Sequence, residues 1–314
     1  MKHLLLAGIA LLGLYAPCLS GVARAEDLRF AIVPKSMNNP YFDLARDGCE
    51  AEAKKIGVQC IYQGPVEQEP ATQVQIIQDM ISRHVDGIAI AVADAPAVGR
   101  VIRQARQANI PVITFDADAP DSQRQAYVGT NNKELGLAIG RELAKVHPKP
   151  GSFALISGGP AAANLQERVD GVRQVLKGAG WTEVAGSPTF CNDDSALAVQ
   201  QMTDLMTAHP DLAALVPVGG WPLFSAEAYR RFVTPHMQAL KDGRFAIVSA
   251  DTLPVEIDAL KASEVNALVG QRPAEMGAKA MDILLALHKG QNVPKITYVG
   301  LDVVTPQNVA QFGK

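Results

Sequence analysis

Short apolar runs alternate with longer amphipathic segments along nearly the whole chain, and that rhythm admits few architectures. Residues Leu28–Val33, Gln59–Tyr62, Gly87–Val92, Pro111–Phe115 and Ala126–Val128 read as strands. Between them Tyr41–Ile56, Thr72–Arg83 and Ala97–Gln107 read as helices, the first stopped by Gly57. Strands this continuously apolar are buried on both faces, as in a parallel sheet covered by crossover helices. After Asn131-Asn132 the pattern restarts. Strands are expected over Ser152–Ile156, Ala213–Val218 and Phe245–Ser249, with helices over Leu135–Lys145, Arg168–Lys177, Leu197–Thr207, Ser225–Val233 and Pro254–Lys261. Two such arrays predict an α/β fold of two Rossmann-like lobes with parallel sheets.

Charge and composition remove several function classes. Twenty-nine Lys+Arg against thirty-two Asp+Glu leave a net charge of −3, which argues against a nucleic-acid partner. With 48% hydrophobic and 19% charged residues the chain is of ordinary globular composition, and 314 residues accommodate two domains. Residues 1–25 are expected to be a cleaved signal peptide: a basic start at Met1-Lys2-His3, an apolar run from Leu4 to Tyr15, and a small-x-small site at Ala23-Arg24-Ala25. The expected location is therefore periplasmic. In an oxidising compartment Cys49 and Cys60 are either a disulfide or two buried thiols, and Cys191 is left over.

Ligands of open parallel sheets bind beyond the carboxyl ends of the strands. The residues there are Lys35-Ser36, Ala91 to Asp94 and Asp116-Ala117-Asp118 in the first array, and Ser157-Gly158-Gly159, Gly219-Gly220-Trp221 and Asp251 in the second. Any of these carboxylates can equally be a helix cap. No G-x-G-x-x-G follows a strand, Ser157-Gly158-Gly159-Pro160 lacks a P-loop ending, the six histidines have no metal-binding spacing, and no G-x-S-x-G elbow occurs. No catalytic residues, cofactor or metal are expected, and the chain is not read as an enzyme.

Several segments resemble the ribose/galactose-type periplasmic sugar-binding proteins, the class I solute-binding proteins of ABC importers. They are Val33-Pro34-Lys35-Ser36-Met37-Asn38-Asn39-Pro40-Tyr41-Phe42, Ala108 to Asp116, Glu167-Arg168-Val169-Asp170-Gly171, Leu205 to Asp211, and Gly270-Gln271-Arg272-Pro273 followed by Gly277-Ala278-Lys279. They occur in the family's order. The resemblance implies two lobes joined by three hinge crossings, the first lobe at 26–129 plus 272–300 and the second at 130–271 plus 301–314. It also implies capture of a monosaccharide or sugar alcohol between the lobes and delivery to a membrane permease. At matching positions Asp116 would accept from sugar hydroxyls, Arg168 would donate to them, Asn39 and Gln271 would do both, Asp251 would add a polar contact and Phe42 would stack on the sugar's C–H face. The alternatives are a core role for Phe42, a surface ion pair for Arg168, and cap or hinge roles for Asp251 and Gln271.

The departures from that family argue against ribose itself. Ala117, Ala91 and Gly219 stand where ribose binders carry polar groups, Lys35 replaces a small hydroxyl residue, and Asp118 adds a carboxylate. Trp221 is expected either to enter the space beside Gly219-Gly220 and stack opposite Phe42, or to be a lid or core residue. Asn164 is expected to add a polar contact, and Lys35 to neutralise Asp116 or Asp118 or to bind an anionic ligand. A runner-up reading is an autoinducer-2 or rhamnose-type receptor, because Lys35 and Asp116 also resemble positions in such receptors, although Asn164-Leu165 departs from their Asp-Gln pair. A regulator's sensor domain and a secreted enzyme rank lower. The expected state is a monomer, with a chemoreceptor as an open second partner.

Overall fold

Strand β1 (Arg29–Val33) shows why both sheet faces must be covered. Phe30 and Ile32 join one apolar cluster while Ala31 and Val33 join another. The same period-two division recurs in β3 (Gly87–Ile90), where Ala89 faces the first cluster and Ile88 and Ile90 the second. Helices α1 (Pro40–Ile56) and α11 (Pro273–His288) supply the first cluster, and α2 (Pro70–Ser82) and α3 (Ala95–Gln107) the second. The computed structural model describes residues 28–312; the expected signal peptide lies outside them.

The first sheet is completed by β2 (Gln59–Tyr62), β4 (Val112–Phe115), β5 (Ala126–Gly129) and β12 (Ile296–Tyr298), in the order β12-β5-β4-β3-β1-β2. The second contains β6 (Ser152–Ser157), β7 (Thr182–Glu183), β9 (Ala214–Pro217), β10 (Ala246–Ala250), β11 (Ala267–Gly270) and β13 (Asp302–Val304), in the order β13-β11-β10-β9-β6-β7, with β8 (Thr189–Phe190) also beside β6. Helices α4 (Asn132–Val146), α5 (Ala163–Gly178), α6 (Ser195–Ala208), α7 (Trp221–Phe224), α8 (Ala226–Val233), α9 (Met237–Lys241) and α10 (Pro254–Lys261) accompany it. The chain passes between the sheets after β5, after β11 and after β12. All pairings are parallel except β11–β13. β13 follows β12 through Val299–Leu301 alone, which leaves no length for a crossover helix.

Local signals set the element ends. The Asn39 side chain accepts from the Tyr41 N–H at the start of α1, and Gly57 ends that helix at φ 73°, a conformation open to glycine without steric cost. Cys49 on α1 and Cys60 on β2 form a disulfide, so the bridge rather than the pair of thiols is found; closing this short loop contributes about 2–3 kcal/mol. Cys191 is a buried free thiol, its pKa pushed up by burial.

Two helix pairs approach through glycine. A Cβ on Gly277 of α11 would lie 2.0 Å from the Ala45 carbonyl oxygen of α1, and one on Gly48 of α1 would lie 2.0 Å from that of Ala274. In the second lobe a Cβ on Gly136 of α4 would lie 2.1 Å from the Arg168 carbonyl oxygen of α5. Gly277→Ala is accordingly expected to destabilise the fold by about 1–3 kcal/mol through overpacking against backbone. Thermal unfolding checks this; an unchanged midpoint would mean that α1 and α11 separate freely.

Candidate functional site

The carboxyl ends of both sheets face one cleft, and the chain turns sharply where its strands deliver carboxylates. Asp116 directly follows β4 and Asp251 directly follows β10, with φ of 58° and 73°. Asp193, three residues beyond β8, has φ 62°. Asp is among the few non-glycine residues that visit this left-handed region, and such strain gathers at functional sites. All three side chains are buried and line a cavity between the lobes.

Nine of the ten residues singled out in the sequence line this cavity: Lys35, Asn39, Phe42, Asp116, Asn164, Arg168, Trp221, Asp251 and Gln271. Asp118 does not. It accepts hydrogen bonds from Thr114 Oγ1 and from Arg124 Nε and Nη2, and that ion pair holds it off the cavity wall. Asp94, at the end of the β3 segment, caps α3 through the Ala97 N–H, the alternative role open to such a carboxylate. Tyr41, Leu165, Asp193 and Gly219 complete the lining. Tyr41 and Leu165 adjoin Phe42 and Asn164 in sequence, and neighbourhood was their only signal. Asp193 sits beside Asp194, which alone is needed to cap α6. The redundant second carboxylate of that pair was the available clue.

A hydrogen-bond network spans the cleft. Arg168, only 3% exposed, donates from Nε to Asn132 Oδ1 (2.9 Å), from Nη1 to the Val218 carbonyl (3.0 Å) and from Nη2 to Gln271 Oε1 (2.8 Å). Gln271 Oε1 also accepts from Thr130 Oγ1, and Gln271 Nε2 donates to Asp251 Oδ1 at 2.7 Å. Asp251 Oδ2 accepts from the Gly220 N–H. From the first lobe, Lys35 Nζ donates to Asn164 Oδ1 across the cleft at 3.3 Å and lies 3.7 Å from Asp116 Oδ2. Lys35 is thus the partner of Asp116, not of Asp118. Arg168 is a buried fork rather than a surface ion pair, and Asp251 is a buried acceptor rather than a helix cap.

Apolar surface completes the walls. Phe42 packs edge-on against Tyr41 and Phe115 while lining the cavity, so it is both a core aromatic and a cleft residue. Trp221, 4% exposed, lies over two glycines of its own lobe: a Cβ on Gly219 would come within 2.5 Å of the indole and one on Gly158 within 2.9 Å. The missing side chain at Gly219 is therefore the space that the indole fills. Burial raises the pKa values of Asp193 and Asp251, with Lys35 and Arg168 respectively the main opposing influences. Beneath Gly220, burial pushes the fully enclosed Glu256 well above the usual carboxylate range. The Tyr41 hydroxyl is also held well above its ordinary value, by burial and then by Asp116 and Asp251. The arrangement brings planar donors, carboxylate acceptors and aromatic faces together around one interlobe cavity, which suits a small polyhydroxylated solute.

Comparison with known proteins agrees with this geometry. A family model described as a periplasmic binding protein domain matches residues 30–292. The ribose import binding protein of Escherichia coli is 27% identical over 288 residues, covering 92% of this chain and 94% of that protein. The D-allose-binding periplasmic protein of Escherichia coli is 25% identical over 285 residues, 87% of this chain and 88% of that one. Among solved structures, an ABC transporter solute-binding protein from Burkholderia graminis in complex with D-arabinose superposes with a TM-score of 0.84 at 33% identity, covering 92% of this chain and 99% of that one.

Proposed function

This chain belongs to the periplasmic binding protein family, and we propose that it captures a monosaccharide or sugar alcohol in the interlobe cleft and delivers it to an ABC importer. The observation that carries this reading is the interlobe cavity, to which both lobes contribute buried hydrogen-bonding side chains and an aromatic. Asp116 accepts from sugar hydroxyls, Arg168, Asn39 and Asn164 donate to them, Phe42 and Trp221 take the two faces of the ring, and Asp251 and Gln271 hold Arg168 and the floor in place. Relatives at 25–33% identity that are named for binding ribose, allose or arabinose support a carbohydrate ligand. The protein acts by binding alone, in the periplasm after loss of residues 1–25, as a monomer.

Closure is the signal. The lobes are 26–129 plus 272–300 and 130–271 plus 301–314, and the three crossings between them are hinges that absorb the change of angle. Ligand that touches both lobes favours the closed form, which the permease recognises. The crossings are tied to one another by the Thr130–Gln271 hydrogen bond and by Arg272, which donates to both carboxylate oxygens of Asp302.

A thermal-shift screen of pentoses, hexoses, polyols, sugar acids and autoinducer-2 tests the reading. A ligand present at about 100 times its Kd should stabilise the protein by about 2.7 kcal/mol. Stabilisation by sugars or polyols without turnover is the expected result. Stabilisation by autoinducer-2 alone would transfer the site to a signalling receptor, and chemical conversion of a bound sugar would sink the proposal.

A further inference from the structure

One carboxylate oxygen of Asp193, Oδ1, has no hydrogen-bond donor among the described residues. The residue is 7% exposed and lines the cavity, with Oδ1 buried. The carboxylate is seated against the backbone of Gly158, where an added Cβ would lie 2.3 Å from Oδ1. A buried acceptor left without a donor is costly, and the residue is also held at φ 62°. Both costs are understandable if a ligand supplies the donor.

The other acceptors of the cleft are already engaged. Asp251 receives Gly220 and Gln271 on its two oxygens, Gln271 Oε1 receives Thr130 and Arg168, Asn39 Oδ1 receives the Tyr41 N–H, and Asn164 Oδ1 receives Lys35. Two carboxylates remain, one from each lobe: Asp193, and Asp116 with Lys35 no closer than 3.7 Å. Asp116, Asp193 and Asp251 together outnumber the two cations, Lys35 and Arg168.

We propose that Asp193 is a specificity-determining ligand contact which, facing Asp116 across the cleft, selects a solute that presents hydrogen-bond donors to both lobes and carries no acidic group. The group on Asp193 is a donor: a hydroxyl of a neutral sugar or polyol, or the ammonium of an amino sugar. An ionised carboxylate accepts only, so a sugar acid or sugar phosphate would set like charge against it. Lys35 is the main cation acting on Asp193, but it is shared with Asp116 and Asn164, so the three carboxylates of the lining still outnumber Lys35 and Arg168. The cavity is buried and low in dielectric, which sharpens the discrimination. The inference rests on the carbohydrate reading above.

Calorimetric titration of the wild type, Asp193→Asn and Asp193→Ala with D-arabinose, D-ribose, D-galactose, ribitol, D-galactosamine and D-galactonate is the test. The Asn variant is isosteric and tolerates the left-handed backbone. The wild type is expected to bind at least one neutral or amino sugar and to reject D-galactonate. Asp193→Asn is expected to weaken the best probe roughly tenfold to a hundredfold. A preference for D-galactosamine over D-galactose that Asp193→Asn abolishes identifies the ammonium as the donor; the opposite preference identifies the hydroxyl. Wild-type affinity in Asp193→Asn, or D-galactonate bound as tightly as D-galactose, would overturn the inference and leave sugar binding intact. A wild type that binds no probe would overturn both. Should the variants fail to fold, monodeoxy derivatives of the best probe decide on the wild type alone. One of them must lose a comparable factor, and uniform retention of affinity by all of them overturns the proposal.

Discussion

Arg168→Ala should abolish sugar binding, with a loss of a thousandfold or more, and should lower the stability of the folded protein by about 3–5 kcal/mol. The guanidinium is the junction of the site. Its three bonds reach α4 through Asn132, the end of β9 through Val218, and the second crossing through Gln271. It is also a charge that opposes the burial cost of Asp193 and Asp251. Truncation leaves those carboxylates with Lys35 as the remaining cation of the cavity lining, and Gln271 loses a donor on Oε1. Arg168→Lys keeps the charge but not the planar fork, so intermediate losses are expected. The variant should carry a pH signature. Without the arginine the folded-state pKa values of Asp193 and Asp251 rise further above the unfolded value of about 3.9. A raised carboxylate contributes stability that is present at low pH and lost as pH rises through the folded value. The deficit of Arg168→Ala against wild type should therefore shrink as pH falls from 7 towards about 4. Urea denaturation across that range, with calorimetry for affinity, checks both parts. A variant with unchanged midpoint and unchanged affinity would remove Arg168 from the centre of the site.

The elements that carry a local period were legible from the sequence, and those defined by distant partners were not. The βαβ rhythm located β1 to β5: β1, β3, β4 and β5 are apolar runs almost wholly buried, and the edge strand β2 is marked by its place between α1 and α2. It missed the two-residue β7 and β8, β12, an edge strand whose Ile296 and Tyr298 are exposed, and β13, three residues defined only by pairing with β11; it also missed β11 itself, whose apolar run Ala267–Val269 is buried but short. Helix α11 carries no signal of its place in the fold. Its apolar positions Met276, Ala280, Met281 and Leu284 have helical spacing, yet nothing local tells that it packs on the first lobe after the chain has left it. The glycines at 48 and 277 express the same long-range contact, invisible until the two helices meet. In the site, Asp116 and Asp251 were legible because each immediately follows a strand. Asp118 follows the same strand and is diverted by Arg124, six residues on, with which no motif connects it. Asp193 lay in a helix-capping segment, where a carboxylate already had an ordinary explanation.

The departure at Gly219 and the arrival of Trp221 make one change rather than two, and a double-mutant cycle should read it as such. Gly219→Asn restores a polar side chain at a position that the indole now covers. Its Cβ alone would come within 2.5 Å of the ring, so the variant must displace Trp221, lowering stability by about 1–3 kcal/mol and affinity at least tenfold. Trp221→Ala removes a nearly buried indole from the wall facing the cavity. A stability loss of about 3 kcal/mol, at the low end for a buried tryptophan, and at least a thirtyfold loss of affinity are expected. The double variant should be more stable than the sum of the two losses allows, by about 1 kcal/mol or more, because the asparagine then occupies space that the indole has vacated. Gly158 sets the limit of that recovery, since the same indole rests on it and the wall there stays open when the ring is gone. If the stability losses instead add to within about 0.5 kcal/mol, residues 219 and 221 do not share the space and the indole is an independent lid. Coupling in stability with a changed preference among sugars would tie the glycine–tryptophan exchange to ligand choice as well as to packing, since the stacking face at 221 would have been replaced by a hydrogen-bonding group at 219.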